Sequence, residues 1–169
     1  MAYRVMVLGM GNILKGDDGL GFYAIRDLAR EEWPDQVCFL HRAQWKEGGV
    51  DVEGYTGLLL IDTLENGQQP GTIYTYGHLE LLQNKSCLRW HPLLEAMTVA
   101  PLLGHSLQTG FVGMEPASRD YTLCLTSSVA QAYEQFLDAV RSRLRFMLND
   151  KQSYPEVSNK DLLQSAHID

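Results

Sequence analysis

The sequence is short of the features that mark secreted, membrane-spanning or nucleic-acid-binding chains. It has three cysteines, Cys38, Cys87 and Cys124. Their number is odd, they lie far apart, and none forms a C-x-x-C pair. A disulfide framework or a thiolate zinc site is therefore disfavoured, and a reducing, cytoplasmic setting is expected. Three small core or surface thiols is the favoured reading. No apolar run reaches the roughly 18 residues that a transmembrane helix needs. The opening MAYRVMVLGMGN is not expected to be a secretory signal, because its apolar run is short and flows straight into a motif. There is no basic cluster, and the formal net charge is −7. Nucleic acid and anionic membranes are poor partners for such a chain, whereas a cation or a basic protein surface suits it. Neither a G-x-S-x-G nucleophile elbow nor an H-E-x-x-H zinc motif is present.

What remains is an ordinary globular composition, 45% hydrophobic and 21% charged over 169 residues. That length suits one compact domain. No repeat or linker divides it, so residues 1–149 are expected to form a single domain. The polar, aperiodic stretch 150–169 is expected to be a mobile tail.

Residues 3–9, YRVMVLG, read as a buried strand, followed by the loop 10–18 and a helix over 19–32. On that helix Phe22, Ile25, Leu28 and Ala29 share a face, and Pro34 and Asp35 end it. Further strands are predicted over 36–41, 57–61, 72–76 and 107–114. A short amphipathic piece is predicted around 78–83 and a helical stretch over 92–103. In the last helix Val129, Tyr133, Phe136, Val140, Leu144 and Met147 recur at three- and four-residue spacing, with Thr126 or Ser127 as cap. This alternation predicts an α/β fold: a three-layer α/β/α sandwich around a mostly parallel, twisted sheet of about five strands. In such sheets ligands sit beyond the carboxyl ends of the strands, where the strand order reverses. The loop after the first strand, with Asp17 and Asp18, and the end of the third, with Asp62, are therefore expected to form the site.

The first loop, Gly9-Met10-Gly11 to Gly19, superficially looks like a dinucleotide fingerprint. It lacks the third glycine, since position 14 is leucine, and two aspartates would repel a pyrophosphate at the helix start. They would attract a cation instead. One of them is expected to serve only as a helix cap, leaving the other for chemistry. Asp62 follows the apolar run Leu58-Leu59-Leu60-Ile61, where a carboxylate needs a partner or is simply an exposed strand-end residue. His78, His91 and His105 stand on equal footing as an imidazole source. Two carboxylates and one imidazole would suit nickel, zinc, manganese or cobalt, and three ligands are few for a permanently held ion.

These residues resemble the hydrogenase maturation proteases. The resemblance is carried by VLGMGNILKGDDGLG (7–21), LLLIDTL (58–64), VGMEP (112–116) and LTSSV (125–129), and covers about residues 3–148. It implies an aspartyl-type endopeptidase that trims the C-terminus of a nickel-loaded [NiFe]-hydrogenase large-subunit precursor. It further implies metal contact through Asp18, Asp62 and His91, with His105 as the alternative imidazole, and catalysis through Asp18 and Asp62. The nickel is expected to come with the substrate. The family's Asp-Gly-Gly-Thr loop after the second strand is replaced here by His41-Arg42-Ala43-Gln44-Trp45, so Arg42 and Trp45 are expected to take part in substrate recognition. The competing readings are a small-molecule metallohydrolase of similar fold, an adaptor or nucleotide-binding module, and a family member without activity.

Overall fold

The computed structural model describes residues 3–42, 52, 54–84 and 107–149. The expected helical stretch 92–103 and the tail 150–169 lie outside them. Five strands form one sheet: β1 (Val5–Met10), β2 (Val37–Arg42), β3 (Gly57–Thr63), β4 (Ile73–Gly77) and β5 (Gln108–Met114), in the order β2-β1-β3-β5-β4. The three inner strands are buried at every position. This explains why apolar residues run consecutively in them, over Val5–Met10, 57–61 and 110–114: a strand covered on both faces has no reason to alternate. β2 lies at one edge and is half-buried throughout.

The pairs β1–β2, β1–β3 and β3–β5 are parallel, whereas β4 runs antiparallel to β5. The expected mostly parallel sheet is thus a mixed one with a reversed edge. The connection from β3 to β4 spans only residues 64–72. A parallel crossover takes a dozen or more residues, so a chain this short must turn back.

Two helices cover one face of the sheet. They are α1 (Leu20–Leu28) and the long C-terminal helix, which together with Val5, Val7, Leu59, Ile61, Val112 and Met114 make the larger core. The short helix α2 (His78–Gln83) lies on the other side, where Leu81 joins Met6, Leu8, Leu58, Leu60 and Phe111. The C-terminal helix, α3 (Ser127–Asn149), buries Val129, Phe136, Val140, Leu144 and Met147 as the spacing predicts. Tyr133 stays at its edge and donates to Asp27 at 2.8 Å.

The first helix departs from the sequence reading. It spans Leu20–Leu28 rather than 19–32, follows a 3-10 turn over Gly16–Gly19, and buries Leu20, Ala24, Ile25 and Leu28. Phe22 is only half-buried, set edge-on to His41, and Ala29 is exposed. Leu20, Ala24 and Leu28 recur every four residues and turn their side of the helix to the sheet, which leaves Phe22 and Ala29 off the buried face.

Candidate active site

β1 and β3 are neighbours in the sheet. β1 leads through α1 to β2 on one side, while β3 lies on the other. The strand order therefore reverses between them, and their carboxyl ends form the crevice where α/β folds place ligands. The turn holding Asp17 and Asp18 and the end of β3 holding Asp62 and Thr63 meet there.

The turn is shaped by close backbone approaches. Gly11 has φ +104°, and a Cβ on it would lie 1.9 Å from the Asp18 carbonyl oxygen. A Cβ on Gly21 would lie 2.1 Å from the Met10 carbonyl oxygen, and one on Gly9 2.4 Å from that of Gly21. Only glycines let α1 press this tightly on β1, and that contact fixes where the acidic turn stands.

The two aspartates divide their work. Asp17 is fully buried. Its Oδ2 accepts from the backbone N–H groups of Ala117 and Ser118 and from the Thr126 hydroxyl, and its Oδ1 accepts from the Thr126 N–H at 2.7 Å. One acid is structural, as expected, but it does not cap its own helix. Neither the 3-10 turn nor α1 has a side-chain cap. Asp17 instead ties down the loop after β5 and the start of α3, where Thr126 precedes the first helical residue.

Asp18 faces the crevice. Its Oδ2 accepts from the Asn12 N–H at 2.9 Å, and its Oδ1 lies 3.5 Å from the Thr63 hydroxyl. Asp62 is the penultimate residue of β3 rather than the residue after it, and is 2% exposed. Its Oδ1 accepts from the Thr63 N–H at 2.7 Å. Asp18 thus touches the residue next to Asp62. By the alternation of a strand, Asp62 continues the side of Leu58 and Leu60, while Thr63 continues that of Leu59 and Ile61. Among the described residues no three His, Cys, Asp or Glu side chains gather closely enough to hold a metal ion. His91, the expected third ligand, and its alternative His105 lie outside the described residues, as does Trp45. Arg42 ends β2 opposite Met10, two strand spacings or roughly 10 Å across the sheet from β3.

Three further residues build the mouth without having been singled out from sequence. Thr63 is fully buried and bridges toward Asp18. Arg119, in the loop after β5, donates from Nη2 to the Thr63 hydroxyl at 3.2 Å, pairs through Nη1 with Glu65 at 2.8 Å, and brings Nε to 3.6 Å from Asp18 Oδ1. It is the one basic residue between Met114 and Ser127, a signal visible in the sequence once that loop is known to face two acidic ones. Glu115, inside the VGMEP segment, is buried and accepts from the N–H groups of Asn66 and Gly67 and from the Tyr74 hydroxyl. Burial alone would raise its pKa, but these donors outweigh burial and hold it below the ordinary carboxylate value. Glu115 thereby folds the turn that carries Glu65. His41, the penultimate residue of β2, sets Nε2 3.1 Å from the Gly11 carbonyl oxygen. Burial lowers its pKa, only partly opposed by that contact.

The likeness to known proteins agrees in sequence and in fold. No family model matches the chain. Among curated proteins it is 28% identical, over 116 residues, to the hydrogenase expression/formation protein HupD of Rhizobium leguminosarum bv. viciae. That match covers 62% of this chain, which spans about half (54%) of the relative's length. Among solved structures it superposes on the hydrogenase maturating endopeptidase HybD from E. coli with a TM-score of 0.70 and 25% identity, covering 84% of this chain and 92% of that one. A hydrogenase 2 maturation peptidase from a Thaumarchaeota archaeon gives 0.62 and 26%, covering 84% and 98%. In sequence and in fold the chain is thus similar to hydrogenase maturation proteases.

Proposed function

We propose that this protein is an endopeptidase that removes a C-terminal peptide from the large-subunit precursor of a [NiFe]-hydrogenase. In this reading the metal is cargo: nickel arrives bound by the precursor. Asp18 and Asp62, with His91 as the imidazole, complete its coordination and so hold the scissile bond in a fixed orientation. Oxygen and imidazole donors suit nickel. A carboxylate or the substrate's metal then activates the attacking water. Arg42 and Trp45, in place of the usual glycine-rich loop, take part in recognising the precursor.

The observation that carries this reading is the meeting of the Asp18 turn with the end of β3 at the switch point of the sheet. The names of the similar proteins support the substrate class. The deciding experiment incubates the purified protein with nickel-loaded and with nickel-free precursor and measures product mass. Trimming of the loaded form alone is expected. Equal trimming of both, or of neither, sinks the proposal. Turnover of short peptides or esters with added divalent metal would favour the small-molecule metallohydrolase instead.

A further inference from the structure

The mouth of the site already holds a cation of its own. The Arg119 guanidinium sits where three loops converge, those after β1, β3 and β5. Its Nε lies 3.6 Å from Asp18 Oδ1, beyond hydrogen-bond length, while its Nη1 holds Glu65 at 2.8 Å. That Nε is shut off from solvent and has no hydrogen-bond acceptor. The contact with Asp18 is thus the looser of the two, and the exposed Glu65 can keep the guanidinium when Asp18 lets go. An arginine stays protonated at any working pH, so the charge does not vanish by titration. A divalent ion approaching Asp18 meets a positive charge only a few ångströms away, and the carboxylate's charge is already partly balanced.

We infer that Arg119 is the resident counter-ion of Asp18, a positioning residue that denies the site to free divalent cations and releases Asp18 only to a cation delivered with a partner's own ligands. This rests on the reading of Asp18 as a metal-contacting group. It accounts for how an acidic mouth can serve a metal-bearing substrate without filling with free metal.

The test is calorimetric titration of the full chain with Ni²⁺ alone. Arg119→Gln is expected to bind at least threefold more tightly than the unaltered protein, Arg119→Lys to stay within threefold, and Arg119→Gln with Asp18→Asn to lose the gain. An affinity of Arg119→Gln within threefold of the unaltered protein overturns the inference, as does a gain that survives Asp18→Asn. A precursor-processing assay run in parallel separates the two readings. A gain in affinity without processing by either protein leaves the counter-ion role standing and removes the protease reading. Processing without the gain does the reverse.

Discussion

Asp17 and Thr126 stand 109 residues apart and are joined by two hydrogen bonds, from the Thr126 N–H to Oδ1 and from its hydroxyl to Oδ2. The neighbouring Asp18 spends its charge toward the crevice. This split gives the sharpest prediction. Asp17→Ala leaves the N–H groups of Ala117, Ser118 and Thr126 without their acceptor. It should cost about 3 kcal/mol, seen as a drop in Tm of roughly 6–12 °C.

Asp18→Asn should leave the melting curve nearly unchanged and abolish processing of the nickel-loaded precursor. Asparagine keeps an oxygen for the Asn12 N–H but loses the charge. Normal trimming by this variant would reject Asp18 as a central group. Asp62→Asn is expected to share the loss of activity.

Gly21→Ala forces a Cβ to 2.1 Å from the Met10 carbonyl oxygen. The clash is backbone against backbone, so no side chain can swing away. The strand and helix must part, at a cost of about 3 kcal/mol or more. Because the acidic turn joins these two elements, thermal stability and processing should fall together. A variant with unchanged Tm would show that the close approach is not needed.

Acid should weaken the fold in two windows. The folded His41 has a lowered pKa, so the unfolded chain takes up the proton first as pH falls below about 6.5. Stability from this source is complete above that pH and declines until the folded pKa is reached. His41→Gln should flatten the slope in that window. Glu115 is likewise held low, so its contribution is present above the ordinary carboxylate value of 4.5 and is lost as pH falls through its folded pKa. Glu115→Gln should remove this lower step and cost about 2 kcal/mol at neutral pH, because a charge-assisted acceptor is replaced. Urea unfolding at a series of pH values reads both steps.

Much of the fold was legible because burial leaves a simple mark on sequence. β1 is apolar throughout, β3 is apolar up to Asp62 and β5 is apolar after Thr109, and the sequence places each to within one or two residues. The long helix α3, 23 residues in all, showed itself through a stripe kept from Val129 to Met147. Less was legible where a local rule met a distant constraint. Helix α1 ends at Leu28 rather than at 32, and its buried face runs through Leu20 and Ala24 rather than Phe22 and Ala29, because packing against the sheet selects the face and apolar spacing alone does not. The strand-end aspartate was placed one step outside β3, because a buried carboxylate inside a strand is acceptable only when a partner, here the Thr63 N–H, is counted.

The sequence by itself determined which segments are buried and which acids are candidates, since both follow from the local order of apolar and charged residues. The tertiary structure decided the strand order, the reversed edge β4 and the division of labour between Asp17 and Asp18. It also decided the posting of Arg119 over Asp18. Each of these is a meeting of groups from different loops, and the energy that selects it exists only once the sheet has brought those loops to the same end.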